Sequence, residues 1–284
     1  MGMSAARARR DRSGRALASL VQGVAIWLSG TLAVALAAAF IAVLAVEGWQ
    51  GLKAASSSPV GFDLTRSLIG SGYILGIALP LVIVPAFLAA AAGYDVELGG
   101  PTTRWLTTSL RLGPMTPAIA IGAAALWFGV HGGQMPTYSG QGIVIAGIAL
   151  AALNLPMLTR RILAGIREVP DRFRLAAIAV GAAPHTAFLN VIMPRAVPTI
   201  AGALLATAGR MFGETAIVAT VLNYAGTPLT PVTLDLWRRL TAPEMGPAAV
   251  APVATETLLL VTIIVAFRFA ARLLQGRRRS GASR

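Results

Sequence analysis

The sequence predicts an all-α integral membrane protein with six transmembrane helices and both termini in the cytoplasm. Three observations lead there. Only 12% of the residues are charged and the mean hydropathy is +0.71, whereas a soluble domain has roughly 25% charged residues. Six apolar stretches meet or approach the roughly 20 helical residues that cross a hydrocarbon core of about 30 Å. The arginines bordering those stretches are distributed unevenly between alternate loops.

The first stretch, residues 17–46, follows a basic segment at 1–16 and superficially resembles a signal peptide. Its 30 residues far exceed the roughly 7 to 15 of a cleavable apolar region, so it reads as a retained helix. The second, 68–93, contains Pro80 and Pro85; the third, 113–130, opens with Pro114 and Pro117. Pro156 lies near the end of the fourth, 141–158. In a bundle, neighbouring helices satisfy the carbonyls that such prolines free, so these spans survive their prolines. The fifth and sixth stretches are 197–222 and 249–274, and a basic tail follows at 275–284. The expected organisation is one membrane domain, 17–274, with a cytoplasmic loop at 160–195 and a short basic segment at each end.

Orientation comes from the basic residues. The net charge of +13 is carried by 23 arginines and one lysine. With the N-terminus inside, 19 of these cations border the inner side, four lie in outer loops, and Arg210 falls within the fifth stretch. That bias fixes both termini on the cytoplasmic side. The arginine runs at 7–15 and 277–279 would suit nucleic acid in a soluble protein, but here they flank apolar spans and read as topology signals facing membrane lipid.

Cofactor chemistry has little foothold. There is no cysteine, and His131 and His185 are too far apart in sequence to suggest a metal site. A phosphate-binding loop needs a glycine before its lysine. The single lysine, Lys53, follows Leu52, so no cofactor is expected on this chain.

The loop between the fourth and fifth stretches is long, basic and patterned. Pro170 and Asp171 open an amphipathic run in which Arg172 and Arg174 alternate with Phe173, Leu175, Ala176 and Ile178. Gly181 interrupts it, and a second short helical run leads to Pro194. Two short helices joined at a glycine predict an elbow, a shape suited to docking into a groove on a partner. Ala176, Ala177, three residues, Gly181, nine residues, then Val191, one residue, Met193 and Pro194 resemble the EAA loop of ABC importer permeases. Leu175 stands where that family often has glutamate, and Val191 and Met193 replace isoleucine and leucine. The resemblance implies a type I ABC importer permease architecture, with Arg174, Ala176, Ala177, Gly181 and Pro194 in a loop that couples to ATP-binding subunits. Hydrolysis would then reside on those subunits, so the chain is not expected to be an enzyme.

The fifth stretch carries two charges, Arg210 and Glu214. Each costs about 2.5–3.5 kcal/mol near a bilayer centre, and such residues usually face a bundle interior or a water-filled path. At i and i+4 on one continuous helix they would stack on a single face, although arginine first is the less favourable order. Gly209 and Gly213, with Gly202 and Ala206 upstream, form a small-residue surface for close helix packing. Two readings stay open: a pair lining a path, or a pair that only fixes packing. Glu256, six residues into the sixth span, is a further path candidate that could also snorkel to the interface.

Arg210, Gly213, Glu214, Thr215 and Ala216 resemble the Arg-x-x-Gly-Glu-Thr-Ala signature of phosphate-specific ABC permeases of the PstA/PstC type. The segment at 227–237 is similar to the loop before the last span in these proteins. The resemblance implies an inorganic phosphate path in the bacterial cytoplasmic membrane, with Arg210, Glu214, Thr215 and Glu256 as candidate path residues. The implied partners are phosphate, ATP-binding subunits, a second permease subunit and an extracytoplasmic phosphate-binding protein.

Overall fold

A computed structural model describes residues 27, 31–32, 35–36, 38–39, 41–50, 53, 64–95, 116–131, 141–225, 229–242 and 250–281. The basic segment at 1–16 and most of the first expected span lie outside them. The elements in chain order are α1 (Ile41–Gln50), α2 (Leu64–Asp95), α3 (Ala118–His131), α4 (Gln141–Arg167), α5 (Asp171–Ala179) and α6 (Pro184–Ala187). A π-helical turn, Phe188–Ile192, follows, and then α7 (Met193–Phe212), α8 (Thr215–Ala225), α9 (Val232–Leu240) and α10 (Val250–Gly281).

Four helical stretches among the described residues are long and apolar enough to cross a membrane: Leu64–Tyr94, Gly142–Arg167, Pro184–Phe212 and Val250–Gln275. The helices α1, α3 and α8 are apolar but shorter. The chain therefore departs from six uniform spans. The 14 residues of α3 reach only about 21 Å at 1.5 Å per residue. The expected fifth span is two helices, because the chain leaves α-helix at Gly213 and Glu214 before α8 begins. The fourth span is longer than expected, since α4 continues to Arg167 and absorbs the start of the basic loop. The last helix likewise runs past 274 to Gly281.

The most extensive pairings are α2 with α4 and α7 with α10. On α2 the buried residues Ile74, Ala78, Val82, Ala86 and Ala90 recur every fourth position. Three of the five are alanines, so the stripe is narrow enough for close backbone approach. Opposite it, a Cβ added at Gly147 would meet Ile77 Cγ2 at 2.8 Å. Pro80 and Pro85 lie inside α2 without ending it. Packed against α2, α3, α7 and α8, α4 is the most enclosed of the four long helices. Its buried Asn154 donates Nδ2–H to the Leu150 carbonyl at 2.9 Å.

The α7–α10 contact is built from glycines. A Cβ at Gly202 would lie 2.9 Å from the Ala271 carbonyl oxygen, one at Gly209 would lie 2.7 Å from Phe267 Cβ, and one at Gly213 would lie 2.7 Å from Ile264 Cδ1. Ile264 lies about 2 Å and Phe267 about 7 Å, at 1.5 Å per residue, from the middle of the apolar part of α10, Val250–Gln275, so these contacts set Gly213 near that middle and Gly209 on its elbow side. The α9 helix closes the end opposite the elbow: the Val232 N–H donates to Ser71 Oγ at 2.9 Å, and Gly70 lets α2 approach the backbone of Thr230 and Pro231.

A methyl group at Gly209 has no room, whereas one at Gly72 meets nothing within 4 Å. Gly209→Ala is expected to lower unfolding stability in detergent by about 1–3 kcal/mol through overpacking. Gly72→Ala is expected to be neutral or slightly stabilising. Equal thermal stability of the two variants would contradict the close α7–α10 packing.

Candidate functional site

The elbow begins where α4 ends. Pro170 precedes α5, and α5 closes in a glycine-terminated cap: Gly181 N–H donates to the Ile178 carbonyl at 2.9 Å and Ala182 N–H to the Ala177 carbonyl at 3.0 Å. This paired pattern requires a left-handed residue at its corner, and Gly181 supplies it with φ of 89°. Pro184 then starts α6, and the wide π turn leads into α7 with Pro194 in its first turn. A regular α-turn would push the Pro194 ring against the carbonyl four residues back, and the π turn relieves that clash.

Aromatic contacts fix the elbow to the helix ends. Tyr94 of α2 packs against Phe188 at 5.3 Å between ring centroids. The Arg174 guanidinium lies over Tyr94 at 5.7 Å and the Arg195 guanidinium over Phe173 at 4.4 Å. Arg195 also donates to the Val191 carbonyl at 2.7 Å. Arg174 is therefore engaged within the chain, while Leu175, Ile178 and Val180 are exposed, Val180 at 85%. Ala176, Gly181 and Pro194 are exposed as well, and Ala177 is half-buried.

At the other end of the same helix the expected Arg210–Glu214 stack does not form. Gly213 caps α7 with φ −88° and ψ 1°, and the N–H groups of Gly213 and Glu214 donate three residues back, to Arg210 and Met211. This tightened end takes Glu214 out of the helix. It occupies the residue before α8, where the positive end of that helix favours a carboxylate. No ion pair joins Arg210 to Glu214 among the described residues. Arg210 is exposed on its own chain, while Glu214 and Thr215 are half-buried. The first-turn amides of α8 also start at this break, and such amides are donors for an anion.

Two more arginines approach from neighbouring helices. Arg161 of α4 donates Nη1–H to Thr207 Oγ1 at 3.4 Å, and Thr207 in turn donates to the Ala203 carbonyl at 2.8 Å. Arg161 lies within electrostatic reach of Arg210 and of Arg268 on α10. Among the described residues none of these three arginines forms an ion pair. Towards the elbow, Arg160, Arg161, Leu163, Ala164, Arg167 and Glu168 line an open cavity of about 660 Å³.

Glu256 is in a different place. It does not snorkel: its side chain is 2% exposed, enclosed between α10 and α9. Arg239 Nε donates to Glu256 Oε1 at 3.3 Å and Arg239 Nη2 to Asp235 Oδ2 at 3.1 Å. One arginine thus bridges two carboxylates, and Glu256 Oε2 is buried without a hydrogen-bond partner among the described residues. The structure brings Gly209, Arg210, Gly213, Glu214 and Thr215 to one break, and sets Glu256 in a clasp between α9 and α10.

Arg161, Arg268, Asp235 and Arg239 carry no site motif in the sequence. Arg161 lies beyond the fourth apolar stretch, which ends at 158, and reads as loop, whereas Arg268 lies inside 249–274 and reads only as an inner-side topology charge. Asp235 and Arg239 at i and i+4, acid first, carried the favourable order for a helix pair. That signal was available within 232–240.

Comparison with known proteins identifies the family and the fold. Residues 1–280 match the family described as "Binding-protein-dependent transport system inner membrane component". The chain is 28% identical over 269 residues to the phosphate transport system permease protein PstA of Mycobacterium leprae, covering 90% of this chain and 85% of that protein. It is 25% identical over 262 residues to PstA 1 of Mycobacterium tuberculosis, covering 88% and 82%. A probable ABC transporter permease protein, YqgI of Bacillus subtilis, is 32% identical over 167 residues, covering 57% and 53%. Among solved structures, the MetNI methionine ABC transporter in an inward-facing conformation matches 75% of this chain and 95% of its own, with a TM-score of 0.58 at 19% identity. An amino acid ABC transporter crystallised with histidines matches 75% and 92%, with a TM-score of 0.56 at 20% identity. These two structures share the fold. The family match over nearly the whole length, on a multi-pass helical chain with an elbow between its long helices, shows that the protein belongs to the binding-protein-dependent transport system inner membrane components, the permease subunits of ABC transporters.

Proposed function

We propose that this chain forms half of the membrane path of an ATP-driven importer of inorganic phosphate. The observation that carries the reading is Arg210: an exposed arginine within the apolar layer, between the levels of Phe267 and Ile264 on α10, with no carboxylate partner among the described residues. Hydrocarbon cannot solvate such a group, so its exposed face is assigned to a water-filled path shared with a second permease subunit. A guanidinium stays charged when desolvated and offers a planar fork of donors to a tetrahedral oxyanion. The first-turn amides of α8 add donors at the same break. Glu214, at the head of α8, balances that positive end when no anion is present and competes with a bound one, which favours release. Similarity to phosphate transport permeases over most of the chain supports phosphate as the substrate.

The reading extends to energy coupling. The second arm of the elbow and Arg210 lie on one continuous helical stretch, Pro184–Phe212, about 43 Å long at 1.5 Å per residue and widened by the π turn near its start. Leu175, Ile178 and Val180 offer an apolar surface at the elbow, assigned here to a groove on a separate ATP-binding subunit. Closure of the ATP-binding pair moves the elbow, and the helical stretch carries that movement to the break beyond Arg210. The arginine bias places the elbow in the cytoplasm. An extracytoplasmic phosphate-binding protein delivers the anion from the other side.

Two outcomes test the reading. Arg210→Ala in the reconstituted transporter is expected to lower phosphate uptake about a hundredfold while the subunits still co-purify; wild-type uptake would refute the anion contact. Competition with sulfate and molybdate in the same assay reads the choice of oxyanion. Gly181→Val forces a branched side chain into left-handed backbone, a strain of about 1–3 kcal/mol. It is expected to raise the ATP hydrolysed per phosphate imported, and an unchanged ratio would count against coupling through the elbow.

A further inference from the structure

Arg161 has the features of an anion site that neither the motif at 210–216 nor the elbow accounts for. It projects from α4 to Thr207 on α7, three residues before Arg210 and thus one turn towards the elbow. Arg268 lies between Phe267, which packs against Gly209, and Ala271, which packs against Gly202, so it reaches the level of Thr207 from α10. Arg161 is six to seven residues, about 10 Å at 1.5 Å per residue, from the middle of the apolar stretch Gly142–Arg167 towards its elbow end. Arg268 stands about 8 Å beyond the middle of Val250–Gln275 on the same side. Three like charges thus converge from three helices within the apolar layer. Such a group repels itself, and an anion between its members removes both the repulsion and the desolvation cost.

We propose that Arg161 and Arg268 form a second oxyanion station below Arg210, from which a phosphate-type anion passes into the cavity flanked by Arg160 and Arg167. This rests on the proposed reading of an anion path. Thr207 holds the Arg161 guanidinium through one N–H, leaving its other donors for the anion. Glu168 lies on the cavity wall, where Thr199 Oγ1 donates to it at 3.4 Å, and its negative charge opposes retention at the exit. The ordering is Arg210, second station, basic cavity, acidic rim: attraction that weakens towards the elbow side.

The test uses the complete reconstituted transporter with its ATP-binding and binding-protein subunits, and inorganic phosphate as the probe. Arg161→Gln is expected to lower the maximal uptake rate about tenfold. Apparent KM, set by delivery from the other side, and stimulated ATP hydrolysis are expected to stay within about twofold. Arg161→Lys restores part of the rate, and Arg268→Gln lowers it several-fold in a chain whose packing residues are untouched. Wild-type rates in both glutamine variants would overturn the station. So would a lysine variant as impaired as the glutamine one, because the guanidinium would then matter only for its contact with Thr207. A lipid phosphate headgroup offers the same chemistry, so the comparison is run in phosphatidylcholine vesicles with and without phosphatidylglycerol. A defect in both supports the station, and a defect confined to anionic vesicles overturns it. If the wild-type transporter carries sulfate or molybdate instead of phosphate, the substrate reading fails while the Arg161 comparison is read with that anion.

Discussion

A guanidinium inside a hydrocarbon layer must be met by water, an anion or protein dipoles, and the arrangement around the middle of this chain follows from that requirement. Arg210, Arg161 and Arg268 are drawn from three helices, and no carboxylate among the described residues pairs with them. By contrast, the one deeply buried carboxylate among the described residues, Glu256, is held by Arg239 and shares it with Asp235. The chain therefore treats its intramembrane charges in two ways. The clasp between α9 and α10 pairs its carboxylates with an arginine of the same subunit, whereas the arginine group has no carboxylate partner among the described residues.

That difference depends on how closely α7 packs against α10. Gly202, Gly209 and Gly213 bring the two backbones together, and this contact sets the depth of Arg210 and carries Arg268 to the level of Thr207, about one turn nearer the elbow. The helical stretch that begins at Pro184 ends at the break before α8, so a continuous element links the second arm of the elbow to the head of α8. A change in the angle of that element would alter both ends at once. The left-handed Gly181 and the π turn at Phe188–Ile192 are the two places where the backbone departs from regular helix before α7 is established.

Much of this was legible in the sequence. The apolar stretches, the elbow and its glycine, and the small-residue stripe each follow from local chemistry that a single sequence carries. The helix break was not legible, because Gly213 within an apolar run reads equally as a packing glycine and as a cap. In the structure it is both, and the cap removes Glu214 from the face of Arg210. Arg161 was missed because a hydropathy window ends at the first cluster of charges, whereas α4 continues to Arg167 through contacts with α7 that lie far away in sequence. Glu256 could not be separated from a snorkelling residue without knowing that α9 folds over it.

The absence of cysteine from the sequence allows a direct measurement of where the Arg210 face looks. A single cysteine placed at Ala206, one turn from Arg210 on the same side of α7, is compared with one at Leu88, an exposed apolar position on α2. In the assembled transporter, a charged, water-soluble thiol reagent is expected to modify the first and not the second, and saturating phosphate is expected to slow that modification. A cysteine at Ala206 that stays unreactive throughout the ATP cycle, or that reacts at a rate indifferent to phosphate and every competing oxyanion, would contradict a water-filled anion path on this face.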